Sequence, residues 1–152
     1  MLVLQWSKAN RHFGVMTTMH DVEGAGKLSS SNEDYLEAIF QLGGATQAVR
    51  SVDLAAKLDV SKASVNKAIN NLKNAGFVEQ PHYGDISLTK EGVLYARRVQ
   101  SRHEMLTQFL VEVLGIDPER AGEEACEMEH AISDETLDRW QDFMDTWRSK
   151  NK

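Results

Sequence analysis

The chain has 152 residues, 41% of them hydrophobic, and a formal net charge of −6, enough for one compact domain or two small ones sharing an interface. Its one cysteine, Cys126, excludes an internal disulfide and suits a reducing, cytoplasmic setting. No apolar run reaches the roughly 18 residues of a membrane span, and the first residues lack the apolar stretch of a secretory signal.

Residues 1–29 show no sustained period, and His20 to Ser31 reads as a linker, so a disordered N-terminal tail is expected. Met16 and Met19 offer alternative starts nearer the folded part. Order is expected from Ser30, where Ser30 and Glu33 form a capping box. The helix that follows carries Tyr35, Leu36, Ile39 and Phe40 and ends near Gly43. A short helix over Ser51–Leu58 turns at Asp59-Val60 into a third over Ser61–Ala75, with Val65, Ile69 and Leu72 at helical spacing and Gly76 as its stop. Phe77–Gln80 and Ile86–Thr89 read as a β-hairpin around Pro81–Asp85. Thr89 caps a long helix expected to reach Leu114, and Gly115 and Pro118 break it. Two further helices follow, over Pro118–Ile132 and Asp134–Trp147, with Ser133 capping the second. The fold class is mainly α with a small β-hairpin wing. It comprises a winged helix-turn-helix domain over 30–95 and a helical dimerisation domain over 96–152.

Charge is spread unevenly. From Arg50 to Lys73 five Lys/Arg face two acids; from Glu112 to Asp145 twelve acids face two arginines. A basic segment can meet phosphates while an acidic one collects cations. The third helix carries Ser61, Lys62, Ser64, Asn66, Lys67 and Asn70 away from its apolar face. Those hydroxyls, amides and ammoniums can bond base edges and phosphates in a major groove. A solvated polar face is the ordinary reading of such a pattern. The order of three helices then a hairpin favours double-stranded DNA as the partner. The wing tip, His82 to Asp85, reads equally as a phosphate contact or a plain turn.

The candidate metal ligands fall on three helices. Asp34 and Glu37 share a face of the first. His103 lies midway along the fourth. Cys126, Glu129 and His130 stand at i, i+3 and i+4 on the fifth. Singly these residues have ordinary readings: helix-dipole partners, a surface histidine, a small buried thiol. Together, carboxylate, imidazole and thiol suit a divalent transition metal. No nucleophile elbow, phosphate loop or dedicated base marks an enzyme.

From about Ser30 to Asp145 the chain resembles the DtxR/MntR family of metal-dependent repressors. The resemblance rests on Glu33-Asp-Tyr-Leu-Glu-Ala-Ile-Phe40, the third helix, Leu88-Thr-Lys-Glu-Gly92, Arg102-His-Glu-Met-Leu106, and Glu123-Glu-Ala-Cys-Glu-Met-Glu-His-Ala-Ile-Ser-Asp-Glu135. It implies a cytoplasmic homodimer that represses transcription at a pseudo-palindromic operator, with Mn(II) or Fe(II) as corepressor. Metal-independent winged-helix regulation is the alternative.

The resemblance also assigns residues. Asp34 and Glu37 match ligands of the manganese branch; His103, Glu129 and His130 match ligands of both branches. Cys126 matches the iron branch, since manganese regulators carry a glutamate there. Thr107 and Gly122 stand where the iron branch places ligands of its second site. That departure, with a chain ending at Lys152 and so short of an SH3-like third domain, points to the short manganese-type branch and to Mn(II) ahead of Fe(II). Ser61, Ala63 and Lys67 fall where members place DNA contacts. Helices four to six are expected to form the dimer core with Met105, Phe109, Trp140, Phe143 and Met144.

Overall fold

The computed structural model describes residues 28–81 and 84–151. The expected tail before Leu28, and His82 and Tyr83 of the wing tip, lie outside these residues. The elements are α1 (Ser30–Gln41), α2 (Ser51–Leu58), α3 (Lys62–Asn74), β1 (Val78–Glu79), β2 (Ser87–Leu88), α4 (Lys90–Gln108), a π-helical turn (Phe109–Val113), α5 (Pro118–Ala131) and α6 (Asp134–Lys150).

The start of α1 corrects the expected capping box. Ser29 is the cap and its side chain accepts from the Asn32 backbone N–H. Glu33, expected to fold back on the cap, is buried instead. The other four side-chain caps behave as their residues dictate. Ser61 accepts from Ser64 N, Thr89 from Gly92 N, Asp117 from Glu119 N and Ser133 from Thr136 N. The turn between α2 and α3 passes through Asp59 at φ 51°, a left-handed conformation that Asp tolerates better than most residues.

The hairpin is shorter than its sequence pattern, pairing Val78 with Leu88 and Glu79 with Ser87. A third segment extends it: Val49 and Ile86 exchange backbone hydrogen bonds of 2.7 and 2.8 Å. The expected uninterrupted run of α4 to Leu114 is not seen. Its last turn widens into a π-turn, where Leu114 N donates to Phe109 O. The wider turn sets Phe109 edge-on to Trp140, at 4.7 Å between ring centres, while Leu110 is buried. Gly115, at φ 70°, then ends it.

Two apolar cores result. One joins α1–α3 and the wing through Leu36, Ile39, Leu54, Val65, Ile69, Leu72, Phe77 and Ile86. The other joins the end of α4 to α5 and α6 through Leu106, Leu110, Ala125, Leu137 and Met144. Helix α4 serves both, giving Tyr95, Ala96 and Val99 to the first and Met105 and Leu106 to the second. Met105 and Met144, expected at a dimer surface, are buried inside the subunit's own core, whereas Phe143 is exposed.

Gly92 fixes how α4 meets the wing. A Cβ there would lie 1.9 Å from the Phe77 carbonyl oxygen, and Thr89 N pins that oxygen at 3.0 Å. Gly92→Ala should therefore destabilise the protein by about 2 kcal/mol or more, as overpacking against fixed backbone does. Gly122→Ala, at a helical position with nothing within 4 Å, should be neutral or stabilising by up to about 1 kcal/mol. Urea midpoints of the two variants check the contrast.

Candidate metal centre and DNA-reading surface

The seam between the two cores is lined with charge. Glu129 of α5 is fully buried, and its Oε2 accepts from His103 Nδ1 of α4 at 3.0 Å. His130, the next residue, reaches α1: Nδ1 donates to Glu33 Oε2 at 2.9 Å and Nε2 lies 3.2 Å from Asp34 Oδ1. The same Nε2 is 3.5 Å from Glu129 Oε1. Asp34, Cys126 and His130 each offer a ligand atom, all within 4.8 Å of one another. Glu37 stands beside this group with its carboxylate held by Gln41 Nε2 at 3.0 Å, close enough to feel the charges of Glu129 and His103.

All six residues singled out from sequence thus face one region, though they are not equivalent. Asp34, Cys126 and His130 form the compact donor group, His103 and Glu129 form the adjoining pair, and Glu37 stands at its edge. Glu129 Oε1 is buried without a hydrogen-bond partner. A buried, unpartnered carboxylate oxygen beside imidazoles is costly unless a cation meets it. The oxygen, nitrogen and sulfur donors present fit a divalent transition metal.

The electrostatics agree with crowded negative charge. Burial pushes the Asp34 and Glu37 carboxyls up, and the charge of Glu129 pushes both further. Asp34 is drawn back by His130 and Glu37 by His103. The Cys126 side chain is exposed, yet its thiol is raised, by partial desolvation first and then by Glu129, Asp34 and Glu37. The His103 imidazole is raised chiefly by its hydrogen bond to Glu129.

Sequence reasoning missed two functional neighbours. Glu33 is 2% exposed, and its Oε1 accepts from Tyr95 Oη at 2.7 Å and from Arg102 Nη2 at 3.2 Å. Arg102 is itself 7% exposed. A signal for both was present: each charged residue sits at apolar spacing on its helix, Glu33 with Leu36 and Phe40, Arg102 with Val99 and Leu106. Burial and the bond donated to Glu33 push the Tyr95 hydroxyl up to about 12.

On α3 the expected partition holds. Val65, Ile69 and Leu72 are buried, while Ser61, Lys62, Ala63, Ser64, Asn66, Lys67 and Asn70 are exposed. The Ser61 and Ser64 hydroxyls are 2.9 Å apart, so part of their bonding capacity is spent on the cap. No described helix is long and apolar enough to cross a membrane.

A helix-turn-helix with a wing, joined to a helical unit through a cluster of metal-type donors, defines a metal-responsive DNA-binding regulator. Residues 27–86 match the family model described as the iron dependent repressor N-terminal DNA binding domain, and residues 89–150 match its metal binding and dimerisation domain. The transcriptional regulator MntR of Escherichia coli is 39% identical over 111 residues, covering 73% of this chain and 71% of its own length. An HTH-type transcriptional regulator of Methanocaldococcus jannaschii is 36% identical over 124 residues, covering 81% of this chain and 99% of its own. Among solved structures, the manganese regulator SloR aligns at TM-score 0.66 with 27% identity over 75% of this chain, and IdeR of T. acidophilum at 0.63 with 30% identity over 74%. The chain spans about half the length of those two solved chains, 53% of each. The chain belongs to the DtxR/MntR family of metal-dependent transcriptional repressors.

The raised groups set a pH dependence. Asp34 and Glu37 hold protons more tightly folded than unfolded, so the metal-free fold loses stability as pH rises through their raised folded values. For His103 the contribution is complete below the unfolded imidazole value and is lost as pH rises through its raised folded value. A metal held by these groups would displace their protons. The gain in melting temperature from excess Mn(II) over chelator should therefore grow between about pH 5 and about pH 8. A gain independent of pH would contradict this electrostatic description.

Proposed function

We propose that this repressor binds a pseudo-palindromic operator as a homodimer, with Mn(II) ahead of Fe(II) as corepressor, in the cytoplasm. Asp34, Glu37, His103, Cys126, Glu129 and His130 hold the metal; Ser61, Lys62, Ala63, Ser64, Asn66 and Lys67 read the DNA. The observation that carries this reading is the cluster at the junction of α1, α4 and α5. The Asp34, Cys126 and His130 donors lie within 4.8 Å of one another, His103 bonds the adjoining Glu129, and the other Glu129 oxygen is buried without a hydrogen-bond partner. Three carboxylates and two imidazoles make the set rich in the harder donors that suit Mn(II), with Cys126 as its one soft member.

A divalent cation supplies positive charge that neutralises this cluster. The chain's own residues do the rest. Asp34 and Glu37 belong to the first helix of the DNA-reading half, and His103, Glu129 and His130 to the helices of the other core. When all are held to one point, α1 is fixed to α4 and α5, and with it the helix-turn-helix that packs on α1. Two such subunits then present their α3 helices at a fixed separation. Metal and operator must each tighten the other's binding by the same factor. The bridge from His130 to Glu33 and Asp34 is already made by protein groups alone. That favours a metal that stiffens an existing junction over one that moves the halves far apart. The exposed apolar side chains of Phe143 and Leu114, on and beside the second core, supply surface for the partner subunit.

Glu129→Ala and His103→Ala should keep the fold and dimer and lose metal-dependent operator binding. Mobility shifts with Mn(II), Fe(II) or chelator, together with ions counted per chain, check this. Metal-responsive binding retained in both variants removes the assignment, and equal DNA affinity with chelator and metal identifies metal-independent regulation. Lys67→Ala should leave metal affinity unchanged and lower the salt slope of operator binding by about 1.8, one phosphate contact from each subunit of the dimer. An unchanged slope would take Lys67 out of the interface.

A further inference from the structure

Glu33 lies outside the proposed donor set, yet it is the most heavily engaged carboxylate at the seam. Its side chain is 2% exposed and it accepts from three donors on two other helices: Tyr95 Oη and Arg102 Nη2 on α4 at Oε1, and His130 Nδ1 on α5 at Oε2. Tyr95 Oη in turn accepts from the Leu28 backbone N–H at 3.2 Å, just ahead of α1. Burying a carboxylate and a guanidinium is costly and is offset only by good geometry and further hydrogen bonds.

The contact with His130 decides more than stability. A carboxylate can only accept, so the proton between them sits on His130 Nδ1. With Nδ1–H committed to Glu33, Nε2 is the nitrogen left to face Asp34 and Glu129, at 3.2 and 3.5 Å. The bond to Glu33 thus holds the ring with Nδ1 turned to α1's buried carboxylate and Nε2 turned to the donor group.

We propose that Glu33 is the positioning residue of the metal centre: it orients His130 Nε2 toward the donor group and, through Arg102 and Tyr95, ties that orientation to α4 and to the segment entering α1. This rests on the metal-centre reading above and adds a residue that acts only through His130. The arrangement follows the general pattern in which a ligating histidine gives its second ring N–H to a carboxylate. Helix α1 therefore contributes twice, with Asp34 as a donor and its neighbour Glu33 as the support of another donor.

The test is a double-mutant cycle on Mn(II) affinity, measured by competition against a fluorescent chelator for wild type, Glu33→Gln, His130→Ala and the double variant. Glu33→Gln should bind Mn(II) about 10–100-fold more weakly, and this loss should vanish in the His130→Ala background. Glu33→Asp guards against misfolding: it keeps a charge beside Arg102 and withdraws the carboxylate from His130 by one methylene. It should show the same coupled loss with an unchanged far-ultraviolet circular dichroism spectrum. In metal-free wild type, imidazole 15N shifts should show His130 Nδ1 carrying a proton. Wild-type affinity in Glu33→Asp, or an equal loss with and without His130, overturns the proposal. If His130→Ala and Glu129→Ala also bind as wild type, the metal centre itself is wrong; if they lose binding while the Glu33 variants do not, only the role of Glu33 fails.

Discussion

The two apolar cores of this chain meet at a seam that is not apolar, and that seam governs the rest. Glu33, Glu129 and Arg102 are all buried there, where each ion loses water that the interior does not replace for free. The fold tolerates them because α1, α4 and α5 bring opposite charges and imidazoles within hydrogen-bond reach. Charge compensation across the seam is thus a condition for packing the DNA-reading half against the rest. Anything that alters the charge there alters how firmly the halves are joined.

That constraint suits this place to the proposed corepressor site. A cation bound on one helix would stabilise that helix alone. Here the donor atoms come from α1 on one side and α5 on the other, with α4 running through both cores. Compensation is uneven: Glu33 has three partners, whereas one oxygen of Glu129 has none. The satisfied carboxylate keeps the seam closed, and the unsatisfied one leaves it short of positive charge. The first is suited to holding geometry and the second to receiving a cation.

Much of this was legible in the sequence, because patterning and caps act locally. Ser61, Thr89 and Ser133 cap the helices their side chains announce, and the apolar spacing of Val65, Ile69 and Leu72 set which face of α3 stays exposed. The clustering of the six candidate ligands was legible through family resemblance more than through spacing, since no spacing relates Asp34 to His130 across 96 positions. What failed did so for tertiary reasons. Ser30 and Glu33 satisfy a local capping pattern, but Glu33 gains more from Arg102, Tyr95 and His130 than from a helix end, and Ser29 takes the cap. Met105 and Met144 look like interface residues until α6 folds back and buries them. The Val49–Ile86 bridge joins single residues far apart in sequence, too short a pairing to leave a strand pattern.

The mixed character of the donor set follows from the same geometry. Glu129 is fully buried, whereas Cys126, one turn earlier on α5, is exposed. The oxygen donor is therefore built into the core and the sulfur donor stands at the rim. A thiolate prefers softer ions, yet the Cys126 thiol is pushed up by the carboxylates around it, so it gives up its proton less readily than a free cysteine. The acidic groups that make the site attractive to any divalent cation thus weaken the one ligand that favours soft ones. On the proposed reading, burial and charge acting through Glu129, Asp34 and Glu37 favour harder metals at this site.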